Sequence, residues 1–218
     1  MVASDSEYPN KWPDEAELPG FRSDLEDFVE HCHHSGLEIL QALEFGLGLP
    51  AQTRVGRCQQ PVSEARLNYY HPITVDSLSS GKHRRAWPHT DFGVLTLLFQ
   101  DQAGGLEIEN RQSSGDFIPI VRQSPSEVAV YISDTLERLT NGYLKAALHQ
   151  VTVPVEMRGS NTCVLPERYS VASFVKASRH TSVAPLEQFF DDKTPASFGD
   201  ITAMQLHQMR VGQLYVDE

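Results

Sequence analysis

Cysteine is scarce in this chain. Its 218 residues hold three, Cys32, Cys58 and Cys163, with no paired spacing. So few and so scattered thiols exclude a disulfide framework and a zinc cluster built on cysteine. They fit free thiols in a reducing compartment, the cytoplasm. Positive charge is scarce too: 18 Lys and Arg stand against 29 Asp and Glu, a net charge of -11. A nucleic-acid partner needs a basic face, so none is expected. No run of about eighteen apolar residues occurs, so no membrane span is expected. The start, MVASDSEYPNKWPDE, lacks a basic stretch followed by an apolar one, so no secretory signal is expected. Internal repeats and low-complexity tracts are absent as well.

What is present reads as one globular domain over residues 1–218, with 40% apolar residues. Residues 1–22 are rich in Pro, Asp and Glu and read as an irregular lead-in. A long amphipathic helix is predicted over 23–49. Ser23 and Glu26 form a capping-box pattern, and Leu25, Phe28, Val29, Cys32, Leu40 and Leu43 follow at helical spacing. Gly46, Gly48 and Pro50 stop it. Residues 66–176 alternate short strand-like runs with Gly- and Ser-rich turns, the rhythm of an all-β sandwich or barrel. Residues 185–215, with PLEQFF and ITAMQLHQMRVGQL, read as a C-terminal helical segment. The helix at 23–49 needs a partner for its apolar stripe and is expected on the outside of the barrel.

The run AWPHTDFGVLTLLFQ sets two polar residues, His89 and Asp91, in front of an apolar strand. In a strand, i and i+2 share a face, so both can offer a lone pair to one divalent metal. His149, in the apolar run ALHQV, is the best third donor. Two histidines and a carboxylate on one face suit a non-heme iron centre with open positions, whereas a structural zinc site closes its shell. A satisfied core histidine is the plain alternative for His149. In RYSVASF, Arg168 and Ser170 also share a face. An arginine in a buried strand is costly without an anion, and its fork suits a carboxylate. A structural salt bridge is the alternative there.

PHTDFGVLTLLFQDQAGGLEI, LERLTNGYLKAALHQV and ERYSVASF, in that order, resemble the iron(II)/2-oxoglutarate-dependent dioxygenases, in the subgroup that contains isopenicillin N synthase. The likeness runs from the long helix to the C-terminus. It implies a mainly β fold with flanking helices, the double-stranded β-helix or jelly roll. It implies iron(II) held by His89, Asp91 and His149, with 2-oxoglutarate and O2 as cosubstrates. Arg168 and Ser170 match the pair that grips the distal carboxylate of 2-oxoglutarate. RLNYYHP matches the strand whose Asn68 and Tyr70 line the cosubstrate pocket. Phe174 falls at a substrate-facing aromatic position, with ordinary core as its alternative. The implied reaction is oxidative decarboxylation of 2-oxoglutarate coupled to hydroxylation or related C–H oxidation of a small molecule, in specialised metabolism.

Two other readings stand beside it. One is an iron oxidase of the isopenicillin N synthase type that uses no 2-oxoglutarate. The other is a truncated, non-catalytic binding remnant, because the N-terminal region usual in the family is expected to be missing. An N-terminally shortened barrel is expected to be open, with an accessible metal site and a sheet edge that invites self-association. The basic cluster GKHRR is expected to be a solvated loop, with Arg84 or Arg85 meeting an anionic substrate as the alternative. HCHH, on the opening helix, is expected to be a partly exposed helix face.

Overall fold

The computed structural model describes residues 2–3, 9–53, 55–60, 62–81, 83–113, 115–160 and 163–213. In chain order the elements are β1 (Val2–Ala3), α1 (Phe21–Gly46), β2 (Glu64–Tyr70), β3 (Ile73–Thr74), α2 (Val75–Ser79), β4 (Ala86–His89), β5 (Leu95–Gln100), β6 (Leu106–Glu109), β7 (Phe117–Pro119), β8 (Ala129–Ile132), α3 (Asp134–Leu139), β9 (His149–Val151), β10 (Val164–Leu165), β11 (Arg168–Val175) and α4 (Ala203–Gln213). The strands form a five-stranded sheet ordered β1-β2-β11-β5-β8, a four-stranded sheet ordered β4-β9-β6-β7, and the small pair β10-β3. All pairings are antiparallel. The two large sheets face one another as a double-stranded β-helix.

The run LTLLFQ is apolar on both sides because β5 is covered on both faces. Leu95 and Leu97 join Leu40 and Val175 in a core beneath α1, whereas Leu98 joins Leu106, Val151 and Ala172 between the two sheets. Alternation along the strand splits these residues between two cores. The helix α1 lies on the outer face of the larger sheet, as its stripe requires. Phe28 meets Phe99 edge-on at 5.2 Å, and Gly36 lies directly against Val175. No helix among the described residues is long and apolar enough to cross a membrane.

Some boundaries differ from those expected. The helix starts at Phe21 rather than at residue 23. Gly20, in the left-handed region at φ 78°, turns the chain into it without a side-chain cap. The Ser23 hydroxyl donates to the Gly20 carbonyl, and Glu26 pairs with Arg22, so the capping box does not form. The helix ends at Gly46, three residues short of 49. The barrel strands begin at Glu64, not 66, and finish at Val175. PLEQFF is a single 3-10 turn at Glu187–Phe189, and the terminal helix proper is α4. The turn is bracketed by Pro185 before it and by Asp191, Asp192 and Pro195 after it, which denies it the neighbours a longer helix needs. Within 1–22, Val2–Ala3 is a short strand against β2, and residues 4–8 lie outside the described residues, as do 214 and 215.

Candidate active site

The histidine ligand candidates come from paired strands of the smaller sheet. His89 ends β4 and lies directly opposite His149 in β9, with ring centroids 4.3 Å apart. Asp91 stands just past the end of β4, so the simple i, i+2 strand argument does not place it. Its backbone carbonyl accepts the Asp134 N–H at 2.8 Å, and its Oδ2 accepts from the Thr96 hydroxyl at 2.6 Å. One ligand atom from each of His89, Asp91 and His149 lies within 4.8 Å of the others. Both imidazoles are oriented from behind: Nδ1 of His89 lies 2.7 Å from the Trp87 carbonyl, and Nδ1 of His149 lies 3.0 Å from the Ala147 carbonyl. A carbonyl only accepts, so each Nδ1 carries the proton and each Nε2 keeps its lone pair. With Oδ1 of Asp91 left free by Thr96, the set offers two neutral nitrogens and one carboxylate oxygen. That donor chemistry fits a divalent iron. Burial holds the His149 imidazole below the ordinary histidine range, with Asp91 pulling the other way, so it is neutral at pH 7.

The opposite wall comes from the larger sheet. Arg168 and Tyr70 are register partners, as are Ser170 and Asn68. Arg168 is 1% exposed. Its Nε donates to the Gly104 carbonyl at 3.1 Å, Nη1 to Ser170 Oγ at 3.1 Å and Nη2 to Gln100 Oε1 at 2.9 Å, and its Cζ lies 5.0 Å from the Tyr70 ring centroid. All three acceptors are neutral, and among the described residues Arg168 forms no salt bridge. A buried cation without a counter-ion is costly, and an incoming carboxylate would supply one.

Between the walls is a cavity of about 410 Å³. It touches His89, Asp91 and His149 on one side and Asn68, Tyr70, Arg168 and Ser170 on the other. All seven sequence-derived metal and cosubstrate residues thus meet in one space. Phe174 lines it too while packing with Leu98, Leu106, Val151 and Ala172, so it belongs to core and cavity wall at once. A larger hollow, about 720 Å³, lies against α1 and is lined by His33 and His34, but His33 is bonded to Ser63 at 2.8 Å and the hollow gathers no metal-binding set among the described residues.

Sequence reading passed over Tyr131, Thr96 and Gln100. The Tyr131 hydroxyl lies 3.4 Å from His149 Nε2, and burial together with the Asp91 charge pushes its pKa up, so it remains a neutral phenol. Alternation in VAVYIS was the available signal for Tyr131; the other two had none. Arg85 reaches the carbonyls of His71 and Pro166 and lines the cavity near Arg168, so it is not a merely solvated loop residue. Lys82, in the same basic cluster, lies outside the described residues.

Comparison with known proteins gives a consistent result. Residues 62–177, more than half the chain, match the model of the 2OG-Fe(II) oxygenase superfamily. The chain is 46% identical to the 2-oxoglutarate-dependent dioxygenase phqC of Penicillium fellutanum, over 97% of this chain and 60% of that one. It is 44% identical to the 2-oxoglutarate-dependent dioxygenase ecdK of Aspergillus rugulosus, over 98% of this chain and 64% of that one. It thus spans less than two thirds of the length of these curated relatives. A full-length Neurospora crassa protein, solved in complex with alpha-KG, superposes with a TM-score of 0.86 at 27% identity, covering 97% of this chain and 63% of that one. By the family match and these likenesses, the chain belongs to the 2OG-Fe(II) oxygenase superfamily.

Proposed function

We propose that this chain couples the oxidative decarboxylation of 2-oxoglutarate to hydroxylation, or a related C–H oxidation, of a small organic molecule in specialised metabolism. One observation carries the reading: a His-Asp-His set within 4.8 Å shares its cavity with a buried arginine that, among the described residues, has no carboxylate partner. His89, Asp91 and His149 would hold iron(II), which when bound supplies the activation of O2 that no side chain can provide. Arg168 offers its planar fork to the distal carboxylate of 2-oxoglutarate, and the Ser170 hydroxyl and Asn68 amide complete that end. Tyr70 covers the guanidinium with its ring. Tyr131 presents a neutral hydroxyl beside His149. Phe174 gives the substrate an apolar wall beyond the cosubstrate.

Self-association belongs to the same proposal. β1 covers β2 at Ala65 and Glu64 alone, so the edge from Arg66 to Tyr70 carries no strand among the described residues, and Leu67, Tyr69 and Tyr169 are exposed beside it. Such an edge accepts a strand from another chain. The three thiols are all free, which fits the reducing cytoplasm.

Anaerobic titration with iron(II) and then 2-oxoglutarate tests the catalytic reading. A visible absorption band that needs both additions is expected, followed by succinate release on admission of O2. A band with iron and O2 but indifferent to 2-oxoglutarate would favour the 2-oxoglutarate-independent oxidase.

A further inference from the structure

The residue between the two front ligands has its own anchor, and that anchor comes from the far end of the chain. Arg210, on α4, donates from Nη2 to the Thr90 hydroxyl at 3.1 Å. Its Nε pairs with Asp134 Oδ2 at 2.8 Å, and its guanidinium lies 5.2 Å from the Phe92 ring centroid. Nη1 donates to Gln213 Oε1 at 3.1 Å within the same helix. Thr90 and Phe92 flank Asp91. Asp134 in turn gives its backbone N–H to the Asp91 carbonyl, and Thr135 closes the next turn by bonding the Phe92 carbonyl through its hydroxyl and the Gly93 carbonyl through its N–H. The segment 89–93 is therefore held from the cavity side by Thr96, from below by the first turn of α3, and from outside by one arginine.

We infer that Arg210 is a positioning residue for the metal centre, fixing the backbone between His89 and Asp91 so that both ligands keep one geometry. The inference rests on reading His89, Asp91 and His149 as metal ligands. A mere helix anchor would not need this arrangement. The Arg210 and Asp134 side chains are partly exposed, at 34% and 17%, and the contact between the buried Nε and Oδ2 atoms lacks hydrogen-bond geometry, so the pair by itself is a weak dock for α4. The helix is already seated by Leu206, which is buried in the core beneath α1 with Ala203 packed alongside. What the guanidinium adds is directional: a planar group that meets a hydroxyl, a carboxylate and an aromatic face from one position. Lysine cannot reproduce that. Partners behind metal ligands set ligand orientation, and their loss weakens metal binding about 10- to 100-fold.

Cobalt(II) titration of the full chain, read by its visible d–d bands, tests this without turnover. Arg210→Ala and Thr90→Val should each weaken cobalt binding by about tenfold or more. The double variant should bind no more weakly than the worse single one, because both remove the same bond. Arg210→Lys should fall between wild type and Arg210→Ala. Leu206→Ala should lower the melting temperature yet leave cobalt affinity unchanged. Wild-type affinity in Arg210→Ala, or equal weakening in Leu206→Ala, would overturn the inference. If the unmutated chain itself takes up no cobalt, the ligand assignment fails first and the inference falls with it.

Discussion

At the scale of single residues, the side chains that line the cavity are distinct from those that hold them in place, such as Thr96 and Gln100. Asp91→Ala should abolish iron(II) binding while the protein stays folded, since Asp91 lies at the cavity rather than in either core. Metal titration beside circular dichroism checks both halves. Arg168→Lys should weaken 2-oxoglutarate binding by about ten- to a hundredfold, the range set by losing charge-assisted hydrogen bonds. Binding of 2-oxoglutarate to the iron-loaded variant measures it, and unchanged affinity would return Arg168 to a structural role. These residues were legible in the sequence because their types conflict with their surroundings: histidines and an arginine in strands, and a carboxylate just ahead of an apolar strand, demand a reason. Thr96 and Gln100 were not legible. Each looks like an ordinary polar residue of a strand, and only the partner across space, Asp91 or Arg168, gives it a role.

Among the elements, α1 shows where periodicity reads well and where it stops. The stripe through Val29, Cys32 and Leu40 was visible at helical spacing, but the buried Glu44, His33 and Gly36 were not. Glu44 is buried because its carboxylate accepts the N–H groups of Gln52 and Val55, both at 3.0 Å, after the chain has turned back. Gly36 is required by contact: a Cβ there would sit 2.4 Å from a Val175 methyl. Gly36→Ala should therefore destabilise by about 1–3 kcal/mol by overpacking, although alanine gains about 1 kcal/mol in helix propensity. Val175 is β-branched and cannot swing aside. Adding Val175→Ala should recover part of the loss, and chemical denaturation of the pair measures it. Acid should also loosen these elements. Burial lowers the pKa of His33, His149 and His207. The unfolded chain then binds protons more readily, so stability is full above the free histidine value of about 6.5 and falls as pH drops below it. Asp134, raised by burial, works in the opposite sense, one group against three. Thermal melts of the metal-free protein between neutral and mildly acidic pH should show a falling melting temperature; a flat or rising one would contradict the burial argument.

For the whole molecule, the outer strands and the cavity mouth govern behaviour. Sedimentation should reveal reversible, concentration-dependent association through the β2 edge, and a charged residue in place of Leu67 should reduce it. A strictly monomeric chain would show that the edge is harmless. The His89 side chain is 45% exposed, so water reaches the His-Asp-His set. The ratio of product to succinate should therefore stay below one, and a ratio near one would show that substrate itself closes the mouth. The sheet order also dictates timing. Among the described residues, β2 is the first long strand and β11 the last, and they pair across 98 residues from Tyr70 to Arg168. During synthesis the Arg168 end of the cavity thus cannot exist until both strands have left the ribosome. Closing so long a loop before its contacts repay it makes folding slow. Until then β2 waits without its neighbour, which makes the nascent chain most vulnerable to misassembly just before its last strand arrives.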